Sequence, residues 1–423
     1  MYGRRDLVDA HLFLRGRLSA AVLRSDPDAP DRPLRRTSTG MGIGVAVAAA
    51  ALVVVVVLNI FLFTTNDSWR EQPGALLVDE STGSRYMLID GTLHPVMNLA
   101  SAALLAGAPP AVIQVSSDDL ASVPRGEALG APGLPDELPG AQQTSPEWAA
   151  CAAVEGTTLA IGAVENGEPI AADEAVLVTA DGELSLVWQG VRSQLGGPWA
   201  ARAIGFEPNA ALSVDAAWLD TIPSGRDLDL SALTLGGEGP AIAGEPTTLG
   251  QVVETDDGAR YVVTQDGLMP ITETVAALLT TVPDQGLPEP RTITPRDLVA
   301  TTVSDPAAWQ SELPETPPTA IAAGLAPCSV WADGETSITT VDGAALAESA
   351  GVVAVAPGSG LLVATAAAPG VSGAGLYLVG DDGTKYPVAD AETAGALGLD
   401  ATSSPAVPAA LLALLPTGPT IAT

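Results

Sequence analysis

Cys151 and Cys328 are the two cysteines of the chain. Such a pair can close a disulfide, remain as two independent buried thiols, or lend sulfur to a metal. A zinc-type site needs about four Cys or His ligands, and beyond the apolar stretch described below the sequence offers only these two sulfurs and His94. In an oxidising compartment the even pair reads as a disulfide. It closes a loop of 177 residues, for which chain entropy sets a ceiling of about 5 kcal/mol. His94, in LHPV, has the chemistry of a general base for a Ser or Asp, but it stands just ahead of an Ala/Leu-rich helix, which favours a structural or recognition role. Lys385 is the one lysine and lies in GDDGTKYP. A phosphate cradle needs G-x-x-x-x-G-K-[ST], whose backbone amides wrap the phosphates; here two aspartates would repel them. Asp256, Asp257, Asp381 and Asp382 have the donors for calcium, yet paired aspartates beside glycine are more often solvated turn formers. These residues point to no catalytic group, cofactor or metal.

The element that must position all of this is 41–63, MGIGVAVAAAALVVVVVLNIFLF, uncharged and with Asn59 as its one polar side chain. As a helix it is about 34 Å long, enough for a hydrocarbon core of about 30 Å. A cleaved signal peptide has an apolar region of about 7–15 residues and a small-x-small cut site, and FLFTTNDSW offers no such site. In lipid the backbone must satisfy itself, so even the valine run is helical. One uncleaved span is the expectation. Residues 1–40 carry eight arginines and five aspartates, a net of +3, leaving −35 for the remainder. Arg32, Arg35 and Arg36 stand next to the span, so the positive-inside bias puts the N-terminus in the cytoplasm, with those side chains available to anionic lipid heads. The acidic remainder excludes nucleic acid as a partner, because phosphate binding needs clustered Lys and Arg. From Arg4 to Arg24, Leu7, Leu14, Leu18, Ala21 and Val22 follow helical spacing, ended by Pro27, Pro30 and Pro33. That predicts a short amphipathic helix whose stripe docks on headgroups or on a cytoplasmic partner.

Beyond the span the chain repeats itself. DESTGSRYMLIDGTLHPVMNLASAALLAG closes at LASVPRG, and VTADGELSLVWQGVRSQLGGPWAARAIG closes at LDTIPSG. Gly83 to Gly182 and Pro124 to Pro223 share an offset of 99. A third copy surrounds Gly258 and ends without Pro-x-Gly. A fourth, YLVGDDGTKYPVADAETAGALG, ends at LALLPTG, with 33 residues from Gly383 to Pro416 where the first copy has 41 from Gly83 to Pro124. Matching Gly383 to Gly83 makes that copy abbreviated. Each copy reads as a β-hairpin, a Pro (Pro95, Pro270, Pro387), a helix, a short strand and a second helix, with Tyr86, Leu88, Tyr261 and Val263 on one face. A unit of about 50 residues must lean on neighbours. Two inserts, each with one cysteine and a tryptophan (Trp148 or Trp331), separate the copies.

The expected fold class is therefore α+β: a single-pass membrane protein with four β-hairpin/helix repeats of about 50 residues around a mostly antiparallel, disulfide-stapled central β domain. The segments are 1–40, cytoplasmic helix and tether; 41–63, span; 64–75, linker; 76–126, first repeat; 127–174, first half of the central domain; 175–225, second repeat; 226–303, third repeat; 304–372, second half of the central domain; and 373–423, fourth repeat. The nearly palindromic order predicts a pseudo-twofold with the first and fourth repeats close together.

RRDLVDAHLFLRGRLSAAVL, DRPLRR, TGSRYMLIDGTLHPVMNLASAALL and the W-x-x-C of Trp148 and Cys151 together resemble the EccB component of the actinobacterial type VII (ESX) secretion system, over nearly the whole chain. The most specific piece is LHPVMNLASA, with Leu93, His94, Pro95, Asn98 and Ser101. The resemblance implies a membrane-core subunit beside EccC, EccD and EccE and a homo-oligomer, a dimer or higher. ATP hydrolysis is attributed to some members of that family, against which stands the missing P-loop. The expected function is a non-enzymatic scaffold of the export machine. The rival readings are a module that binds cell-wall peptidoglycan, and an ATPase.

Overall fold

The computed structural model describes residues 3–25, 35–62, 67–140, 146–153, 156–162, 167–347, 352–355, 360–366 and 375–423. They form two units, 1–72 and 73–423. In the first, α1 (Arg4–Arg24) exposes Leu7, Leu14, Leu18 and Val22 and ends where Ser25 turns left-handed, its amide donating to Ala21. The second helix, α2 (Arg35–Leu62), contains 39–57, the one stretch among the described residues long and apolar enough to cross a membrane. Arg35 and Arg36 open it; Arg32, Phe63 and the three tether prolines lie outside the described residues.

The second unit is taken in chain order. A first sheet joins β1 (Leu76–Asp79), β2 (Arg85–Ile89), β3 (Thr92–Pro95) and β4 (Val112–Val115), with α3 (Leu99–Ala106) and α4 (Ser117–Ala121). Then come β5 (Trp148–Ala152), β6 (Thr157–Ile161) and β7 (Glu168–Pro169). A second sheet has β8 (Glu174–Ala180), β9 (Glu183–Trp188), β10 (Val191–Gln194) and β11 (Leu212–Ser213), with α5 (Pro198–Ala203) and α6 (Ala216–Leu219). A hairpin, β12 (Glu238–Ile242) and β13 (Glu245–Thr248), precedes a third sheet of β14 (Val252–Thr255), β15 (Arg260–Thr264), β16 (Gly267–Pro270) and β17 (Arg291–Ile293), with α7 (Glu273–Thr281) and α8 (Pro295–Val299). Next are β18 (Thr319–Ala320), β19 (Leu325–Ala332), β20 (Glu335–Asp342), α9 (Gly343–Ala347) and β21 (Val353–Val355). A fourth sheet has β22 (Leu361–Thr365), β23 (Leu376–Val379), β24 (Lys385–Val388) and β25 (Ala406–Val407), with α10 (Ala391–Ala396) and α11 (Ala409–Ala413).

Four sheets thus share one plan: three antiparallel strands, with the last strand parallel to the first. We refer to them as modules one to four. After its second helix each module returns to its own third strand. The Leu93 amide donates to Pro124, Arg192 to Pro223 and Lys385 to Pro416, and the amides of Gly126, Gly225 and Gly418 donate back to Leu93, Arg192 and Lys385. Module three closes the same way through Thr302 and Ser304, without Pro-x-Gly. These are main-chain bonds, so the sequence is constrained only where something packs on them. A Cβ on Gly126 would strike the His94 ring, and one on Gly418 the Tyr386 ring. In module three the small residue is on the other partner: Gly267 has φ +135° and lies against the Thr302 carbonyl.

The fourth module corrects the expectation of an abbreviated copy. Its closure shows that Gly383 stands in the second turn, between β23 and β24, as Gly91 does between β2 and β3. Its first strand is β22, inside the stretch assigned to 304–372, and not the run after 373. The distance of 33 residues is the ordinary one from the second turn, since Gly91 to Pro124 and Gly190 to Pro223 span the same. The β12–β13 hairpin has no counterpart among the sequence expectations.

The central sheet has the order β21-β6-β5-β19-β20-β7, and β21–β6 is its one parallel pair. Cys151 and Cys328 face each other across β5 and β19 and form a disulfide. The edges are exchanged: β7 follows β6 but pairs with β20, and β21 follows β20 but pairs with β6. One side of this sheet shares a core with modules two and four, through Trp148, Val178, Trp218, Leu361, Val363 and Leu411 among others. Modules two and three share a second core across α5 and α7, and modules one and four a third across α3 and α10.

Candidate functional site: a disulfide-stapled sheet and a strapped joint

Two constructions could carry function, the stapled sheet and the joint between modules one and four. In the sheet, Cys151 and Cys328 are buried with Ala149 and Val330 under α9. On the opposite side Trp218 is wholly buried, and its indole nitrogen donates to the Ala150 carbonyl at 2.9 Å. A tryptophan with its N–H satisfied inside a core fixes the orientation of α6 on the sheet.

At the joint, the five motif residues act together. Leu93 is fully buried and exchanges main-chain bonds with the closing segment. His94 Nδ1 lies 2.9 Å from the Glu127 carbonyl oxygen; a carbonyl only accepts, so the proton is on Nδ1. The Pro95 carbonyl accepts from the Leu129 amide at 2.8 Å. Asn98 caps α3, its Oδ1 accepting from the Ser101 amide at 2.9 Å, while Nδ2 donates to the Ala131 carbonyl at 2.8 Å. Ser101 Oγ accepts from the Ala131 amide at 3.2 Å. All five therefore hold one strap, 124–135, against β3 and the start of α3. The strap then delivers Leu134 into the core shared with module four. Sequence reasoning singled out these residues but not their purpose, because bonds from side chains to a distant main chain leave no periodicity.

The remaining candidates are occupied elsewhere. Lys385 Nζ donates to the Leu412 carbonyl at the end of α11, and burial pushes its pKa down. Asp257 accepts from the Thr255 hydroxyl, and Asp382 from the Tyr386 hydroxyl and the Thr384 amide. Among the described residues no three carboxylates, histidines or cysteines gather as metal ligands. Trp218 was missed, although the offset of 99 that aligns it with Asp119 would have flagged it as a position of unequal use.

The family model described as type VII secretion system ESX-1, transport TM domain B, matches residues 2–423. The chain belongs to the EccB family. EccB relatives include the ESX-3 secretion system ATPase EccB3 of Mycolicibacterium smegmatis, 31% identical over 397 residues, covering 82% of this chain and 76% of that protein. The ESX-1 secretion system ATPase EccB1 of Mycobacterium tuberculosis is 26% identical over 392 residues, 82% of this chain and 79% of that one. Among solved structures, the EccB3 dimer from the ESX-3 core complex is similar with a TM-score of 0.64 at 29% identity, covering 82% of this chain and 98% of that one. The periplasmic assembly from the ESX-5 inner membrane complex shares the fold, with a TM-score of 0.67 at 24% identity over 85% of this chain and 96% of that one.

Proposed function

We propose that this EccB chain is a structural subunit of a type VII secretion membrane complex. Residues 1–40 stay in the cytoplasm, α2 crosses the cell membrane once, and 73–423 forms the extracytoplasmic body as four repeats around the stapled sheet. The fourth repeat opens at β22 instead of at 373. The subunit works beside EccC, EccD and EccE and pairs with further copies of itself, with α1 offering its exposed leucines to the cytoplasmic base. Arg32, Arg35 and Arg36 set the orientation. The observation that carries this reading is that Leu93, His94, Pro95, Asn98 and Ser101, the run on which the resemblance to the family rested, bind the protein's own strap. A scaffold needs such internal bracing; a catalytic or glycan-binding motif would face outward.

Purification of the membrane complex in mild detergent tests it: the chain comes down with EccC and EccD homologues, and consistent absence from that complex overturns the reading. Protease added to intact cells should digest 73–423 and spare 1–40. The names of the relatives favour ATP hydrolysis as the second reading. Turnover by the purified chain above a heat-killed control would establish that reading in place of a purely structural role.

A further inference from the structure

Module one ends in an open edge. Among the described residues no strand lies beyond β4, which pairs with β1 alone. The amides of Leu76 and Glu80 donate to the carbonyls of Ala111 and Val115, so Ala111, Ile113 and Val115 turn their main-chain groups to β1. In a parallel pair the residues between them turn theirs away. Val112 and Gln114 therefore each present an N–H and a C=O along the outer rim, and both side chains are exposed, Val112 to 61%.

Such a rim is normally blunted by charge, by proline or by brevity, and its counterparts are. β11 and β25 have two residues each, Pro408 follows β25, and β17 opens with Arg291, whose guanidinium donates to the Ile242 carbonyl of the β12–β13 hairpin at 2.9 Å. β4 has four residues, VIQV, inside a stretch, 99–117, without a charged side chain. Its α3 side is apolar as well: Val112 stands next to Leu76, which packs with α3, and α3 exposes Leu105.

We propose that β4 is the seam between two copies of this chain, laid antiparallel about a twofold axis at Ile113. This deepens the reading that the chain pairs with itself, and rests on it. Val112 of each copy faces Gln114 of the other, each such pair exchanging both main-chain bonds, and Ile113 meets its own image in the non-bonded position between them. The next pair would set Pro110, which has no N–H, against Ser116, whose carbonyl already accepts from the Leu120 amide, so the exchange stops there. The two sheets become one continuous sheet with both α3 helices on the same face.

Two observations favour a second copy over a foreign strand. So short a ladder gives a lone peptide little hold, whereas a folded copy brings its own surface with it. The chain beyond the span also carries a net −35, so two acidic copies meet with least repulsion where charge is missing, while a basic partner finds its complement elsewhere.

Cysteine cross-linking of the full chain in native membranes tests the seam. Cys151 and Cys328 are joined to each other, so an introduced thiol reports on its own position. Non-bonded antiparallel partners lie about 4.5 Å apart at Cα, inside the range of about 4.4–6.8 Å that a disulfide bridges. Under mild oxidation Ile113→Cys should give the covalent dimer several-fold more than Val112→Cys or Gln114→Cys, whose images lie off on the diagonal. Adding Gln114→Pro, which removes an outward N–H and no bond to β1, should abolish the Ile113→Cys dimer while hydrogen-exchange protection of 76–89 stays at the wild-type level. A self cross-link equal at all three positions, or one that survives Gln114→Pro, overturns the proposal, as does an Ile113→Cys adduct with another protein and none with itself. Native mass measurement of wild-type chain in mild detergent separates the two readings: dimeric without an Ile113→Cys cross-link, it keeps the pairing and loses this seam; monomeric, it removes both.

Discussion

Modules two and four turn one face onto the central sheet, and modules one and three, built on the same plan, do not. The difference is written at few positions. Five residues before the closing carbonyl stand Trp218 in module two and Leu411 in module four, both fully buried against the sheet. The corresponding residues of modules one and three are Asp119 and Asp297, which serve the helix start: Asp119 bonds with Ser116, and Asp297 completes a capping box with Thr294. At the end of the first strand, Ala180 joins the core in module two, while module one has Asp79, gripped by Ser117 and Ser81. Module three covers the same face with a device of its own, the β12–β13 hairpin, whose Ile242 and neighbouring Leu249 pack on Val253 and Val263. A shared backbone plan therefore does not dictate a shared environment: at one place in the second helix Trp218 and Leu411 enter a core with the central sheet, where Asp119 and Asp297 serve the helix start.

The sharpest way to break this comparison is to remove the staple. Cys151→Ala with Cys328→Ala, or reduction, should cost about 2–5 kcal/mol, with exchange protection lost in modules two and four together. Uniform loss across all four would mean that the sheet is not specifically theirs. Trp218→Ala should follow, at about 3–5 kcal/mol in denaturant unfolding, whereas Asp119→Ala at the matching place should shift the midpoint far less; equal shifts would erase the distinction. Ile242→Ala, at about 2–5 kcal/mol, should loosen module three and leave module two at wild-type protection. Thr294→Ala removes only a cap, for about 1 kcal/mol, detectable as fraying of α8.

The smallest effect at neutral pH is the acid response. The Ser117 hydroxyl holds the Asp79 carboxyl, the Thr255 hydroxyl that of Asp257, and the Thr294 hydroxyl that of Asp297, below the usual range. Depressed folded-state values give stability that is present above the unfolded pKa of about 3.9 and lost as pH falls through the folded ones. Exchange measured downward from about pH 4 should open modules one and three before module two.

What was legible in the sequence follows from which forces write on side chains. The α2 stretch was plain because a long uncharged apolar run beside arginines stands out by composition alone, and the structure makes it one helix, Arg35–Leu62, long and apolar enough to cross a membrane. The module register was plain because Gly83, Gly182, Pro124 and Pro223 sit where turns admit few other residues. The fourth module was misread for the same reason: Asp-Gly stands in the first turn of module two, Asp181-Gly182, and in the second turn of module one, Asp90-Gly91, so Asp382-Gly383 fitted either turn, and β22 lies too far upstream to correct the match. The β12–β13 hairpin stayed hidden because EGPAI lacks alternation, and its turn places Ala243, with φ 54°, beside Gly244 where Asn-Gly would have been the signal. His94, Asn98 and Ser101 were visible as a motif, but what they hold is backbone, and backbone has no sequence.

The exchanged edges of the central sheet bear on how such a molecule is made. When the chain is delivered N-terminus first, β5 and β6 arrive with an unsaturated border, and the strand that seals it follows 177 positions later. Until then that border is an adhesive template for any other extended segment. Modules two and three, adjacent in sequence and packed on each other, can consolidate during the wait. A copy interrupted before β19 would therefore hold modules two and three packed on each other, with the face of module two that belongs to the shared core still open, which makes completion of the sheet the step at which a whole molecule becomes distinguishable from a fragment.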